Sequence, residues 1–186
     1  MAFSRTHRKL RSMIRKTPLI ISAAILGGAA VGAPIALSSS AEATSGAGVG
    51  AAVRAVHTAR DSGRPYDLER DRFRGNPVWE VDVSRRSGSP RELKISADGR
   101  RVVHRKRTDW SDDAERVRDV KIGFAKALRT AATRANGRLT DAELDREQGR
   151  LVWSATFERG ATETEVDVDA MTGAVVRVRS EHDDDD

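Results

Sequence analysis

Three carboxylates, Glu165, Asp167 and Asp169, stand at every second position of the stretch EVDVDAMTGAVVRV, which runs from Glu165 to Val178. Clustered carboxylates can hold a hard cation through oxygen or divide the roles of acid and base in a reaction. Their spacing argues against both. A period of two belongs to an extended strand, whose side chains alternate between two faces. If Val166 and Val168 face the core, all three acids face water. A calcium loop instead curls its ligands around one point, with a glycine at a fixed place. A general acid needs a desolvated pocket to raise its pKa, which an exposed strand does not offer. The stretch therefore reads as an amphipathic strand, a Thr172–Gly173 turn and a returning strand. Arg177 and Arg179 are then the cross-strand partners of the acids.

Other reactive groups are scattered. The chain has no cysteine, which removes thiol nucleophiles and disulfides. His57 falls on a short predicted helix, His104 near a strand end and His182 close to the C-terminus, and no HExxH or GxSxG motif is present. Catalytic zinc takes several clustered ligands, so these three read as separate surface histidines. The sequence predicts no catalytic residue, no cofactor and no metal centre; it is not read as an enzyme.

The elements that position these residues come in two copies. A shift of 74 residues lays Gly63–Arg64 on Gly137–Arg138, Asp67 on Asp141, Gly75 on Gly149 and Val78–Trp79 on Val152–Trp153. Tryptophan occurs only three times, so the pair Trp79 and Trp153 anchors the repeat. A period this long implies a duplicated small domain. In the second copy Ser111 is a helix N-cap followed by acids. Val117, Val120, Phe124, Ala127, Leu128, Ala131 and Ala135 then form one apolar helical face, with Asn136–Gly137 as a left-handed stop. The first copy has a shorter stripe from Val49 to Ala59. Strands are predicted at Val78–Ser84 and Leu151–Phe157, and around Leu93 and Ile95, Val166 and Val168, Val102–Val103 and Val175–Val178. The turns ADG (Ala97–Gly99) and MTG (Met171–Gly173) join the last two strands of each copy. The fold class is α+β, as two tandem modules, each one helix packed on a small antiparallel β-sheet. Modules this small are marginal alone, so the two are expected to pack together.

Ahead of them, residues 1–43 have the parts of an export signal. A basic region ends at Lys16, an apolar stretch runs from Thr17 to Leu37, and Ala41–Glu42–Ala43 is a small-x-small cleavage site. Left uncleaved, residues 17–37 would anchor the chain in a membrane; Gly27, Gly28, Gly32 and Pro34 favour cleavage. Either way the remainder is expected to be secreted or extracytoplasmic. The domain plan is thus 1–43 signal or anchor, 44–107 first module, 108–179 second module and 180–186 an acidic disordered tail.

The net charge of +5 arises in the signal, because residues 44–186 hold 27 basic and 27 acidic side chains. Residues 44–107 carry +7 and residues 108–186 carry −7. Arg100, Arg101, Arg105, Lys106 and Arg107 form a candidate anion patch. Asp183, Asp184, Asp185 and Asp186 form a candidate weak cation tail, or one that folds back on the basic first module. Outside the cell, nucleic acid is not an expected partner.

The hairpin, with Val166, Val168, Asp169, Ala170, Thr172, Gly173 and Val175, resembles the hydrophobic-Asp-Ala-x-Thr-Gly-x-Val signature of the PepSY domain. The first copy departs from it, with Ser96 in place of the aspartate and no threonine. The resemblance implies a non-catalytic module that inhibits, chaperones or regulates an exported peptidase or another envelope protein, and it carries no catalytic residues. The alternative from charge alone is an envelope protein that binds anionic polymer or a divalent cation.

Overall fold

Eight strands form one antiparallel sheet, with helices packed against one of its faces. A computed structural model describes residues 40–182, with side chains from residue 48 onward, and all of them lie in one compact unit. Helix α1 (Ser40–Ala59) precedes strands β1 (Arg64–Phe73), β2 (Asn76–Ser84), β3 (Arg91–Ser96) and β4 (Val102–Arg107). Helices α2 (Asp112–Arg116) and α3 (Phe124–Ala131) follow, then β5 (Arg138–Glu147), β6 (Arg150–Arg159), β7 (Thr162–Asp169) and β8 (Val175–His182). The strand order is β4-β3-β2-β1-β5-β6-β7-β8. Residues 1–39 of the predicted signal, and Asp183–Asp186, lie outside the described residues. Among the described residues no helix is long and apolar enough to cross a membrane.

This architecture corrects the expectation of two small sheets. β1 and β5, neither of which the sequence pattern marked as a strand, pair through Asp67–Glu143, Leu68–Ala142 and Glu69–Asp141 and join both halves into one sheet. Separate sheets would each leave a long unpaired edge at this place. The register is that of a local two-fold axis through the Leu68–Ala142 pair. Each half also bulges at the same point, between Pro65 and Asp67 and between Leu139 and Asp141. The β1–β2 and β5–β6 hairpins turn on Arg74–Gly75 (φ 52° and 81°) and Gln148–Gly149 (φ 50° and 83°). Two consecutive positive φ values make the tight turn that matches strand twist.

The period-two pattern places the core as expected. Trp79, Val81, Val83, Leu93 and Ile95 are buried on the helix-covered face, as are Trp153, Ala155, Phe157, Val166 and Val168. α1 packs there through Ala52, Ala55, Val56 and Ala59. Its small residues bring it so close to the β3–β4 turn that Thr58 Oγ1 donates to the carbonyl of Gly99 at 2.8 Å.

The second helix differs from its prediction. Ser111 does cap α2, its Oγ accepting from the Ala114 N–H. The helix then stops at Arg116 and resumes at Phe124. Two influences break it. Val120 and Ile122 are β-branched, and Gly123 follows. The backbone there is also engaged elsewhere: Lys121 and Ile122 donate to the carbonyl of Ala170 at 3.1 and 2.9 Å, and Ile122 accepts from Trp153 Nε1 at 2.8 Å. Nor does Asn136–Gly137 end α3, which is capped at Ala132. A Cβ at Gly137 (φ 148°) would meet the carbonyl oxygen of Glu158 at 2.7 Å, so this glycine serves the close approach of β6. Finally, Ser180, Glu181 and His182, predicted as tail, extend β8. Thr162 and Thr164 on β7 hold His182 and Ser180 through their hydroxyls.

Candidate functional site

The hairpin that opened the sequence reading is real, but two of its acids are not exposed. Val166 and Val168 point into the core as predicted, yet Asp167 is only 2 % exposed and Asp169 7 %. The two are buried for different reasons.

Asp169 ends β7 and folds over its own turn. Its Oδ1 accepts from the backbone N–H of Met171 (2.9 Å) and Thr172 (2.8 Å) and from the Thr172 hydroxyl (3.1 Å). Those bonds, from Thr172 first and then Met171, hold its carboxyl below the usual carboxylate range even against burial. Gly173 follows at φ 81°, a conformation that glycine adopts at no steric cost. Ala170 is fully buried, and its carbonyl is the acceptor for Lys121 and Ile122. Val175 packs at the margin of the core. The signature residues thus build the turn and dock it to the segment before α3. Replacing Asp169 with Ala should lower stability by about 1–2 kcal/mol through loss of charge-assisted bonds to two amides. Hydrogen exchange should locate the loss at Met171 and Thr172.

In the first copy the same work is divided. The Ser96 hydroxyl donates to Asp98 Oδ1 and accepts from the Arg101 N–H, while Asp98 Oδ1 also accepts from the Arg100 N–H. Asp98, two residues beyond Ser96, supplies the missing carboxylate.

Asp167 lies on the sheet face away from the helices. Its Oδ2 accepts from Arg177 Nε at 2.7 Å, and Arg177 Nη2 donates to Glu165 Oε1 at 2.7 Å. Arg179 approaches the same Glu165 at 3.4 Å. The predicted arginine partners are therefore in place, and Arg177 shields Asp167 from water by lying over it. The Asp167 Oδ1 is buried with no hydrogen-bond partner among the described residues.

This pair belongs to a larger pattern that the sequence reading missed. By register, the open face carries Asp67, Glu69 and Asp71 on β1, Glu80 and Asp82 on β2, Asp141, Glu143 and Asp145 on β5, and Glu165 and Asp167 on β7. Basic residues join them mainly at strand ends, where Arg138 on β5 meets Glu158 and Arg150 on β6 meets Asp169, and on the flanking strands. Lys94 on β3 binds Asp71 at 2.5 Å and also binds Glu80. Burial alone would lower the Lys94 pKa, but the hydrogen bonds that its ammonium donates to both carboxylates raise it. Near the centre Asp141 is pushed up to about 6, chiefly by burial, which the hydroxyls of Thr156 and Thr140 only partly offset. The signal for this face was present: period-two carboxylates recur on β1 and β5 as they do on β7.

A folded-state pKa raised in this way has a definite sign. The Asp141 contribution to stability is fully present below its unfolded value of about 3.8 and is lost as pH rises through 6. Asp141→Asn keeps the acceptor for Thr140 and removes the charge. It should stabilise the protein at pH 7 by up to about 3 kcal/mol, with the advantage fading toward pH 4. Urea titrations of both proteins at the two pH values would measure this; an equal difference at both would refute the assignment.

The three described histidines do not converge. His57 is exposed on α1, His104 stacks on Phe73 at 4.9 Å near one sheet edge, and His182 lies on the opposite edge strand. Among the described residues no group of three or more potential ligands could hold a metal ion.

The proposed anion patch is divided by the pleat. Lys106 pairs across from Glu92 on the open face and binds it at 2.6 Å, so it leaves the group. Arg105 and Arg107 lie on the other face, opposite Leu93 and Arg91. Arg91 lies on that same face, directly across from Arg107. Arg100 and Arg101 are exposed in the β3–β4 turn.

The class defined by these features is an α+β protein, mostly antiparallel sheet, with a signature hairpin that closes its second half. Residues 121–179 match the PepSY family, described as "Peptidase propeptide and YPEB domain". The match runs from the segment before α3 into β8 and includes Trp153 and the Asp169–Gly173 turn. The chain is also similar to a Bacillus subtilis (strain 168) protein named "Uncharacterized protein YkoJ", with 24 % identity over 116 residues. That alignment covers 62 % of this chain and 64 % of the relative, short of two thirds of its length. Among solved structures, a candidate lipoprotein from Clostridium difficile 630 aligns with a TM-score of 0.43 and 19 % identity, covering 66 % of this chain and 85 % of that one.

Proposed function

We propose that the chain is an exported, non-catalytic binding protein of PepSY type that inhibits or regulates a peptidase or another protein at the cell envelope. In this reading residues 44–107 and 108–179 are two related modules sharing one sheet, behind an export signal in residues 1–43. The observation that carries it is the match of residues 121–179 to a family described by peptidase propeptides, together with what its signature residues do here. Asp169, Ala170, Thr172 and Gly173 all serve the turn. Recurrence of bulges, turns and tryptophans at a 74-residue offset supports the pair of modules.

The test is cross-linking capture from the host envelope with the full tagged chain, followed by titration of any captured peptidase. The reading expects one defined partner, retained at moderate salt, and saturable inhibition of that peptidase or altered activity of that partner. Retention of wall polymer alone, released by salt, would replace it with charge-driven envelope binding.

A further inference from the structure

The sheet has two open edges, β4 and β8, and they differ in how their charges are used. On β8, Arg177 and Arg179 are taken up by Glu165 and Asp167. On β4, Arg105 and Arg107 project on one face, two residues apart, and both are exposed. Arg107 stands directly across from Arg91 on β3. Among the described residues none of these three guanidinium groups has an ion-pair partner. Like charges directly opposite each other in a sheet are destabilising, so the fold places like charges together here with no ion-pair partner among the described residues. Next to those charges lies an edge strand with unpaired backbone groups, which is a template for an added strand.

These two features select for one kind of partner. Positive side chains on an edge discourage pairing with a neutral or basic strand, including β4 of another copy. An acidic strand gains what those partners lose. We propose that β4 is a docking edge for an extended acidic segment of a partner protein, which adds as a ninth strand. Carboxylates two residues apart in that segment would face Arg105 and the Arg91–Arg107 pair. Backbone pairing supplies affinity and the spaced carboxylates supply selectivity. The inference rests on the reading of the chain as a binding protein and names the edge and the chemistry it uses.

The experiment uses the full chain and a labelled peptide of about ten residues, with Glu at alternate positions and Thr or Val between. Saturable binding is expected at about 150 mM salt, weakened about tenfold or more by R105Q/R107Q, both exposed positions. N-methylation of alternate peptide amides on the pairing edge should weaken it to a similar degree. Hydrogen exchange should slow in β4 and not in β8. The proposal is overturned by no saturable binding, by protection at β8, or by indifference to either change. Polyphosphate binding as tightly as the peptide would also overturn it, since charge alone would then suffice. An envelope partner whose cross-links map away from β4 would remove this inference and leave the regulatory reading standing. Peptide docking at β4 with no envelope partner would do the reverse.

Discussion

Trp153→Ala should destabilise the protein by about 3–5 kcal/mol, the range for deleting a large buried aromatic side chain. Trp153 is 2 % exposed and serves two purposes. Its ring stacks on Phe124 with centroids 4.4 Å apart and planes at 11°, fixing the first residue of α3 on the sheet. Its Nε1 donates to the Ile122 carbonyl at 2.8 Å, holding the interrupted segment between α2 and α3. That segment is bound in turn to Ala170, next to the signature turn. Losing the indole should therefore loosen α3 and the Met171–Gly173 turn together, visible as faster hydrogen exchange at both. Trp153→Phe separates the two functions. It keeps an aromatic surface for Phe124 and removes the hydrogen bond, so it should cost less, about 1–2 kcal/mol. A Trp153→Ala loss no greater than that of an exposed residue would mean that α3 is held by other contacts. Trp79, the matching residue of the first half, donates instead to Ala97 in the β3–β4 turn. Its loss should free that turn and leave α3 protected.

Much of this arrangement was legible because burial follows period. Trp79, Val81 and Val83 alternate cleanly with Glu80 and Asp82, and β2 was readable for that reason. β1 and β5 were not, because each carries a bulge. The extra residue shifts the alternation by one between Pro65 and Asp67 and between Leu139 and Asp141. Beyond each bulge seven residues do alternate, but Arg70 and Arg72 on β1 and Arg146 on β5 take positions where an apolar side chain would mark the core face. The shared sheet was hidden with them, since these two strands make the joint. The break after α2 was illegible for another reason. Val117 and Phe124 are both buried, as one continuous helix would also have placed them. The chain leaves the helix because Ala170 and Trp153, distant in sequence, take its backbone groups. The Glu165–Val178 hairpin was readable as a turn, but not the depth at which its acids lie. Alternation gives the face a side chain points to; it says nothing of what covers that face.

That distinction makes Arg177 the second decisive substitution. An exposed strand pair contributes about 0–1 kcal/mol, and Arg177→Met on a water-facing strand should be nearly silent. The structure expects a larger effect, because Asp167 is buried at 2 % exposure with Arg177 laid across it. Removing the guanidinium leaves Asp167 without its 2.7 Å partner. It also leaves Glu165 without one of its two arginines. Breaking a fully buried pair costs about 3–5 kcal/mol. The Arg177 side chain is 38 % exposed, so water offsets part of that, and a loss of about 2–3 kcal/mol is expected. Most of this is the cost of a stranded charge, so Asp167→Asn in the same chain should recover much of it. Urea unfolding of the two single variants and the double variant gives the coupling directly. A coupling below about 0.5 kcal/mol would return both residues to the surface. A coupling near the expected loss would show that the sheet's open face is held by its own ion pairs, with Arg177 closing the end of a row that runs from Glu92 on β3 through Asp82, Asp67 and Glu143 to Asp167.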